Sequence, residues 1–155
     1  MSGRIEARLA ALGLHVPTAP TPAANYIPWV RTGDLVFVAG QVPMTDGAFD
    51  WVGKLGVDWT VEQGQQAARQ VALNVLSQLK SALDGDLDRV VRAVKLNGFV
   101  NSAPDFIQQP HVINGASELM IEVFGEAGRH ARSAVGVAQL PFGVAVEIDG
   151  VFEVR

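Results

Sequence analysis

The sequence predicts an α+β domain with the element order β-β-α-β-α-β-β, in which two long helices lie on one face of a mixed sheet. Two stretches repeat apolar residues at the three- and four-residue spacing of an amphipathic helix. Between them, residues 88–100 are apolar on both faces, as in a central buried strand. Two helices cover only one face of such a sheet. The apolar residues of its other face therefore indicate burial against another copy of the chain.

The N-terminal part predicts a helix and then an extended segment. Its apolar residues at helical spacing are Ile5, Leu9 and Leu12, within a predicted helix over residues 2–13. Prolines between residues 15 and 28 exclude a long helix there. We expect the helix to pack on the outside of the domain, and any further role is open. The length of 155 residues predicts one domain over residues 1–155, with residues 1–23 as this helix and proline-rich lead-in.

The first hairpin is predicted from two apolar stretches, Trp29–Arg31 and Leu35–Ala39, that flank the turn sequence Thr-Gly-Asp. Residues 44–58 contain glycine and tryptophan without a regular period, which indicates a loop with a short strand. Thr60 begins the longest helix, because Gln63 follows it at the spacing of a capping box. The apolar positions that follow recur at helical spacing and predict a stripe that faces the core.

The second half of the chain predicts a strand, a helix and two closing strands. The helix is expected over residues 112–124, where a glycine ends it. A Leu-Pro-Phe-Gly turn sequence separates the closing strands. Side chains alternate along a strand, so Arg132 lies opposite the valine row of the first and Glu147 opposite the apolar row of the second. If these strands pair as a hairpin, both charged groups lie on one side of the sheet and form a small-anion site.

Composition and charge exclude several classes of protein. The 12 basic residues are scattered and the net charge is −4, which argues against a nucleic-acid partner. The chain contains no cysteine, so it has neither a disulfide framework nor a thiol nucleophile. Its three histidines are not grouped with carboxylates at the spacing of metal ligands, and we expect no metal and no organic cofactor. Without a membrane helix or a secretory signal, a cytoplasmic protein is expected.

Four segments resemble the RidA/YjgF family of enamine and imine deaminases, which older naming labels L-PSP endoribonucleases. They are Asn25-Tyr26, Val38–Pro43, Val112–Ala116, and the run Ala131–Val137 with the Leu-Pro and Val-Glu-Ile that follow it. The resemblance covers nearly the whole chain, over residues 24–154. It implies a chorismate-mutase-like fold and a homotrimer around a central barrel, with one ligand cleft between each pair of subunits.

The same resemblance implies roles for individual residues. Arg132 would clamp a substrate carboxylate, to which a planar guanidinium is better suited than a lysine. Glu147 would position and activate a water, since a carboxylate near the substrate can act as acid or base. The other residues implied to line the cleft are Tyr26, Gly40, Asn114 and Ala134. Many members of the family have cysteine where this chain has Ala134, so only the backbone at that position remains to bind substrate.

Structural alternatives stay open for these residues. For Arg132 the alternative is a structural salt bridge, for example to Glu147 itself, and for Glu147 it is a solvated strand position. Gly40 equally fits a turn at the end of a strand. Asn114 equally fits the first turn of a helix, where its side chain would hydrogen-bond the backbone.

The predicted activity is hydrolytic deamination of small 2-enamino or 2-imino acids, such as 2-aminoacrylate and 2-iminopropanoate, to a 2-oxo acid and ammonia. The alternative is a non-catalytic trimeric protein that binds small molecules or acts like a chaperone, which Ala134 and the N-terminal helix favour a little. A third interpretation, an endoribonuclease, comes from the older family label. The acidic charge balance weighs against it.

Overall fold

A computed structural model describes residues 3–20 and 25–155 as a five-stranded sheet, a two-stranded hairpin and α-helices. In chain order the elements are α1 Arg4–Ala11, β1 Trp29–Thr32, β2 Leu35–Gln41, β3 Met44–Thr45, β4 Ala48–Phe49, α2 Val61–Ala82, β5 Val90–Asn101, α3 Gln109–Phe124, β6 Ala131–Val137 and β7 Val146–Val154. The predicted α+β class and the order of the main elements are confirmed. Part of the proline-rich lead-in, residues 21–24, lies outside the described residues, as do residues 1–2.

The order of strands in the main sheet is β1-β2-β7-β5-β6. Strand β6 pairs with β5 in parallel, whereas the other neighbours are antiparallel. The predicted hairpin of β6 and β7 is therefore wrong, because β5 lies between them. The physical reason is the helix α3 between β5 and β6, which returns the chain to the starting end of β5 and so permits parallel pairing. Strand β6 is left as an edge of the sheet.

Helix α2 begins as the sequence predicts. The side chain of Thr60 accepts a hydrogen bond from the backbone N–H of Gln63, and the side-chain oxygen of Gln63 accepts one from the backbone N–H of Thr60. Its apolar stripe packs against the sheet and against α3. The two helices approach closely at Gly115 of α3, where a Cβ atom would overlap the backbone carbonyl of Gln65. A larger residue at position 115 would push the helices apart.

Helix α3 begins at Gln109, three residues before the predicted start at position 112. Pro110 lies in its first turn, where the missing N–H of proline has no intrahelical acceptor to lose. The proline therefore does not prevent the helix, which begins almost a full turn before the first of its predicted apolar positions.

Helix α1 packs on the outside of the domain, as expected. Both carboxylate oxygens of Asp88 accept hydrogen bonds from its first backbone N–H groups, at 2.7 Å from Arg4 and 2.8 Å from Ile5. Its apolar side, with Ile5 and Leu9, is buried. A carboxylate at a helix N-terminus also stabilises the positive end of the helix dipole. The contact with Asp88 thus ties α1 to the segment that leads into β5.

Helices α2 and α3 cover one face of the sheet, and the other face is open in the protomer. The covered face carries the fully buried side chains Leu96, Ile148 and Phe152. On the open face Phe37 remains 44% exposed and Val135 remains 46% exposed.

The loop predicted over residues 44–58 contains the short β3–β4 hairpin. Within the described residues, no helix has the length and apolar character needed to cross a membrane.

Candidate active site

Arg132 lies on the covered face of the edge strand β6. It pairs in register with the buried Leu96 of β5, and its guanidinium reaches α3. There Nη1 donates hydrogen bonds to Oδ1 of Asn114 at 2.8 Å and to Oγ of Ser117 at 3.2 Å. The alternation predicted for this strand is confirmed, and two polar side chains of one helix hold the guanidinium in place.

The positive charge of Arg132 has no carboxylate partner within the described part of the chain. Only an aspartate or a glutamate could neutralise it, and no described carboxylate oxygen lies within 4 Å of its guanidinium nitrogens. Both hydrogen bonds to protein acceptors use Nη1, which leaves Nε and Nη2 for a ligand. Burial lowers the pKa of the Arg132 guanidinium from its ordinary value. A partly desolvated guanidinium with a free edge is suited to bind a carboxylate in a bidentate manner.

An open depression of about 250 Å³ surrounds this guanidinium. The residues that line it are Asn114, Ser117, Ile121, Arg129, His130 and Arg132. None of them is acidic, and Arg129 already pairs with Glu126 at 3.2 Å on the rim. The pocket therefore combines hydrogen-bonding groups, one apolar wall and an unneutralised positive charge, which is the composition of a site for a small anion.

His130 and Ser117 form a pair in this pocket that the sequence analysis did not identify. Nδ1 of His130 lies 2.6 Å from the carbonyl oxygen of Gly128, and Nε2 lies 2.9 Å from Oγ of Ser117. Because a carbonyl oxygen only accepts, Nδ1 carries the proton and Nε2 accepts from the serine hydroxyl. Burial lowers the pKa of His130, and the nearby charge of Arg132 lowers it further. The histidine is therefore neutral at neutral pH.

Glu147 lies on the open face, opposite to the face that carries Arg132. Its neighbour Ile148 pairs with Gly98 on the covered face, and Glu147 itself pairs with Phe99. The prediction that Arg132 and Glu147 share one side of the sheet is therefore wrong, as is a salt bridge between the two side chains of one protomer. The error comes from the predicted pairing of β6 with β7, because the alternation predicted within each strand is correct. Partial burial raises the pKa of Glu147, and the adjacent charge of Asp149 raises it further.

Gly40 lies beside Glu147. An additional residue in β2 shifts its register against β7 between Val38 and Gln41, so that Gly40 lies in a bulge. A Cβ atom at Gly40 would lie 3.0 Å from Cδ of Glu147, closer than ordinary packing allows. The glycine thus leaves room for the glutamate side chain on the open face.

The remaining predicted residues lie in different places. Asn114 is the sixth residue of α3 and its side chain accepts from Arg132, so the alternative of a first-turn residue that hydrogen-bonds the backbone is wrong. Ala134 pairs with Gly98 on the same face of the sheet as Arg132. Tyr26 precedes β1 at the other edge of the sheet and is 56% exposed.

One protomer therefore brings the predicted residues together as two groups. Arg132 and Asn114 form the first group, on the covered face at the β6 edge. Gly40 and Glu147 form the second group, on the open face. No sequence motif marks Ser117 or His130, which are 13 residues apart and come from a helix and from the turn before a strand. Their pairing depends on how α3 packs against β6.

The chain is similar to known proteins in both sequence and structure. The chain matches the family described as "YjgF/chorismate mutase-like, putative endoribonuclease" over residues 6–147. Protein TCP17 of Trypanosoma cruzi is 55% identical over 155 residues, which cover 99% of this chain and 96% of that protein. A 2-iminobutanoate/2-iminopropanoate deaminase of Dermatophagoides farinae is 28% identical over 138 residues, or 89% of this chain and 92% of that protein. The crystal structure of protein Atu1372 of Agrobacterium tumefaciens is 50% identical, with a TM-score of 0.91, and covers 97% of this chain and 92% of that one.

Proposed function

Because the chain belongs to the YjgF/chorismate mutase-like family, whose fold it has, we propose that it hydrolyses small 2-enamino and 2-imino acids to 2-oxo acids and ammonia. The observation that carries this proposal is the free edge of the Arg132 guanidinium. Its charge has no acidic partner among the described residues, and Asn114 orients it into a pocket of small-molecule size. The 28% identical deaminase, which acts on 2-imino acids, supports this class of substrate.

The active unit that we propose is a homotrimer with a cleft between each pair of copies. Two observations support it. The open face of the sheet exposes apolar side chains, including Phe37 and Val135, which a second copy would bury. The two groups of candidate residues lie on opposite faces of one sheet, so Glu147 and Gly40 of one copy can meet Arg132 only in another. The exposed Tyr26 would close the same cleft.

The proposed reaction needs no cofactor. The substrate carboxylate binds to Nε and Nη2 of Arg132, and the backbone at Ala134 and Gly40 helps to hold it. Glu147 of the adjacent copy takes a proton from a water, which attacks the electrophilic imine carbon. The raised pKa of Glu147 makes this carboxylate a better base toward water and, once protonated, a competent acid for the leaving nitrogen.

The test is the hydrolysis of freshly generated 2-iminopropanoate and of bulkier 2-imino acids, measured as the rate above spontaneous hydrolysis. Arg132→Ala should abolish turnover and the binding of a simple 2-oxo acid. Arg132→Lys serves as the matched control, because it keeps the charge but loses the planar fork, and it should retain only weak binding. Both variants should elute as the same oligomer as wild type.

A different result would support the binding-protein interpretation. Its specific support is Ala134, where many members of the family have cysteine. Wild-type protein that binds a 2-oxo acid through Arg132 but hydrolyses none of the imines would contradict the deaminase proposal and favour a small-molecule-binding protein. Turnover that survives Arg132→Ala would show that the site lies elsewhere.

A further inference from the structure

The pocket at Arg132 contains an ordered series of hydrogen bonds that the proposed reaction does not yet use. It runs from Nη1 of Arg132 to Oγ of Ser117 over 3.2 Å, then to Nε2 of His130 over 2.9 Å. The last step joins Nδ1 of His130 to the carbonyl oxygen of Gly128 over 2.6 Å. These groups come from α3, from β6 and from the turn before β6.

The direction of every proton in this series follows from the chemistry of its ends. A guanidinium only donates and a carbonyl oxygen only accepts. The hydroxyl of Ser117 must therefore accept from Arg132 and donate to His130, which in turn donates to Gly128. A proton that arrives at Ser117 can be passed to Nε2 of His130, because Nε2 is the one basic nitrogen in the series.

Ser117 is placed to receive such a proton from a ligand. Its oxygen has two lone pairs, of which Arg132 uses one, and the residue lines the pocket. A carboxylate on the free edge of Arg132 would place the rest of a small ligand in the same depression of about 250 Å³. The base is also oriented by a third group, the carbonyl of Gly128, as is typical of catalytic pairs.

We propose that Ser117 and His130 form a proton relay that accepts the hydroxyl proton of the carbinolamine formed from a 2-imino acid bound at Arg132. This inference rests on the proposed deaminase function and deepens it. Two separate bases then serve the two halves of the reaction. Glu147 of the adjacent copy acts when water adds, and the Ser117–His130 pair of the same copy as Arg132 acts when ammonia leaves.

The protons and bonds of this sequence balance. Water adds to the carbon of a protonated imine, and Glu147 takes its surplus proton, which gives a neutral carbinolamine. Glu147 then donates that proton to the nitrogen. The carbinolamine hydroxyl passes its proton to Ser117, and the proton of Ser117 moves to His130. The C–N bond breaks, a C=O bond forms and ammonia leaves. His130 finally releases its proton to solvent.

The charges around His130 keep its ring unprotonated at neutral pH and so available to accept a proton. Arg132 lies in the same pocket, and Arg129 lies on the rim with its ion-pair partner Glu126. Arg92 of β5 donates to the backbone carbonyl of Arg129 at 2.9 Å. Burial, and to a smaller degree the charge of Arg132, lower the pKa of His130 by more than its hydrogen bond to the Gly128 carbonyl raises it. The turnover number should therefore fall as the pH drops through this lowered value, where His130 becomes protonated.

The decisive experiment compares two variants of the relay with two controls. Ser117→Ala removes the hydroxyl, and His130→Gln keeps a hydrogen-bond acceptor near Nε2 but cannot take up a proton. Ser81→Ala and His15→Gln change exposed residues outside the pocket and serve as matched controls. For 2-iminopropanoate we expect kcat to fall by about 100-fold or more in both relay variants, the low end for general acid–base catalysis. In His130→Gln, KM and the affinity for a 2-oxo acid should stay within about threefold of wild type, because the interaction lost serves only the transition state. Ser117→Ala also removes one of the two hydrogen bonds that hold Arg132, so a loss of affinity is expected there in addition to the fall in kcat.

Two further readouts separate a relay from a structural role. Ser117→Thr, which restores a hydroxyl, should recover a large part of the kcat lost in Ser117→Ala. Wild type should lose kcat at low pH as both Glu147 and His130 become protonated, whereas His130→Gln should keep only the part of this fall that belongs to Glu147 and so show a less steep pH profile. If kcat of both relay variants stays close to wild type while Arg132→Ala is inactive, the relay is wrong and the deaminase proposal survives. If wild type hydrolyses no imine, both proposals are wrong.

Discussion

The two faces of the five-stranded sheet differ in what surrounds their polar groups. On the covered face, the polar pocket lies at the β6 edge, where α3 supplies Asn114 and Ser117 as partners for Arg132. On the open face, Glu147 and Asp149 lie among partly exposed apolar side chains, and Asp149 accepts a hydrogen bond from Asn97 at 2.7 Å. Within one protomer Arg132 already has two hydrogen-bond acceptors from α3, whereas Glu147 has no side-chain hydrogen-bond partner among the described residues.

This difference shows that one face of the sheet stabilises the folded protomer, whereas the other face is left to contact a second copy. The covered face is closed by α2 and α3, so its buried side chains stabilise the protomer. The open face contributes little to the protomer, since it still meets solvent. In the trimer that we propose, a second copy would cover its apolar residues and bring its carboxylate to the Arg132 pocket.

The largest expected effect comes from replacing one phenylalanine on each face of the sheet with alanine. Phe152 is fully buried under the helices, so Phe152→Ala should lower the free energy of unfolding by about 3–5 kcal/mol. Phe37 is 44% exposed on the open face, and Phe37→Ala should leave the secondary structure intact while it weakens the proposed oligomer. Urea unfolding and sedimentation at matched protein concentrations measure both quantities. An unchanged sedimentation profile for Phe37→Ala would show that the open face is not the interface.

Much of the fold follows from local sequence patterns because the covered face has a strict period. In β7 every second residue is buried, which is why the alternation placed Glu147 correctly opposite Ile148. The capping box at Thr60 marked the start of α2 in the same local way. Patterns of this kind depend on neighbours in the chain, and the sequence contains them in full.

The candidate site was harder to predict, because it depends on which strands are neighbours. The alternation of β6 and of β7 was correct for each strand, yet the inserted β5 places Arg132 and Glu147 on opposite faces. The signal that was available is α3 between β5 and β6, since a helix between two strands permits parallel pairing. The pairing of Ser117 with His130 had no comparable signal, because it depends on the packing of α3 against β6.

An effect of intermediate size on stability is expected when a glycine on each face of the sheet is replaced by alanine. A Cβ atom at Gly98 would lie 2.5 Å from Cδ1 of the buried Ile113, so Gly98→Ala should destabilise the protein by about 1–3 kcal/mol. At Gly40 the Cβ atom would meet the carboxylate end of Glu147 at 3.0 Å, and this flexible end can move. Gly40→Ala should therefore change the urea midpoint little but reduce imine turnover. A loss of stability at Gly40 as large as that at Gly98 would contradict this distinction between the faces.

The smallest expected effect concerns the charge of Glu147 itself. Burial and the charge of Asp149 raise the pKa of Glu147 in the folded protein above its ordinary value of 4.5. Between the two values the folded protein holds a proton that the unfolded chain has released, so the free energy of unfolding falls as the pH rises through this window. Glu147→Gln cannot titrate and escapes this loss.

We therefore expect Glu147→Gln to gain stability relative to wild type as the pH is raised from 4.5, with a constant difference once Glu147 is fully ionised. Urea unfolding of both proteins at a series of pH values, at one protein concentration, measures this difference. Glu118→Gln removes an exposed carboxylate from α3 and controls for the change in net charge. A difference that shrinks with rising pH would mean that a positive group stabilises the ionised Glu147, as Arg132 of the adjacent copy would in the proposed cleft.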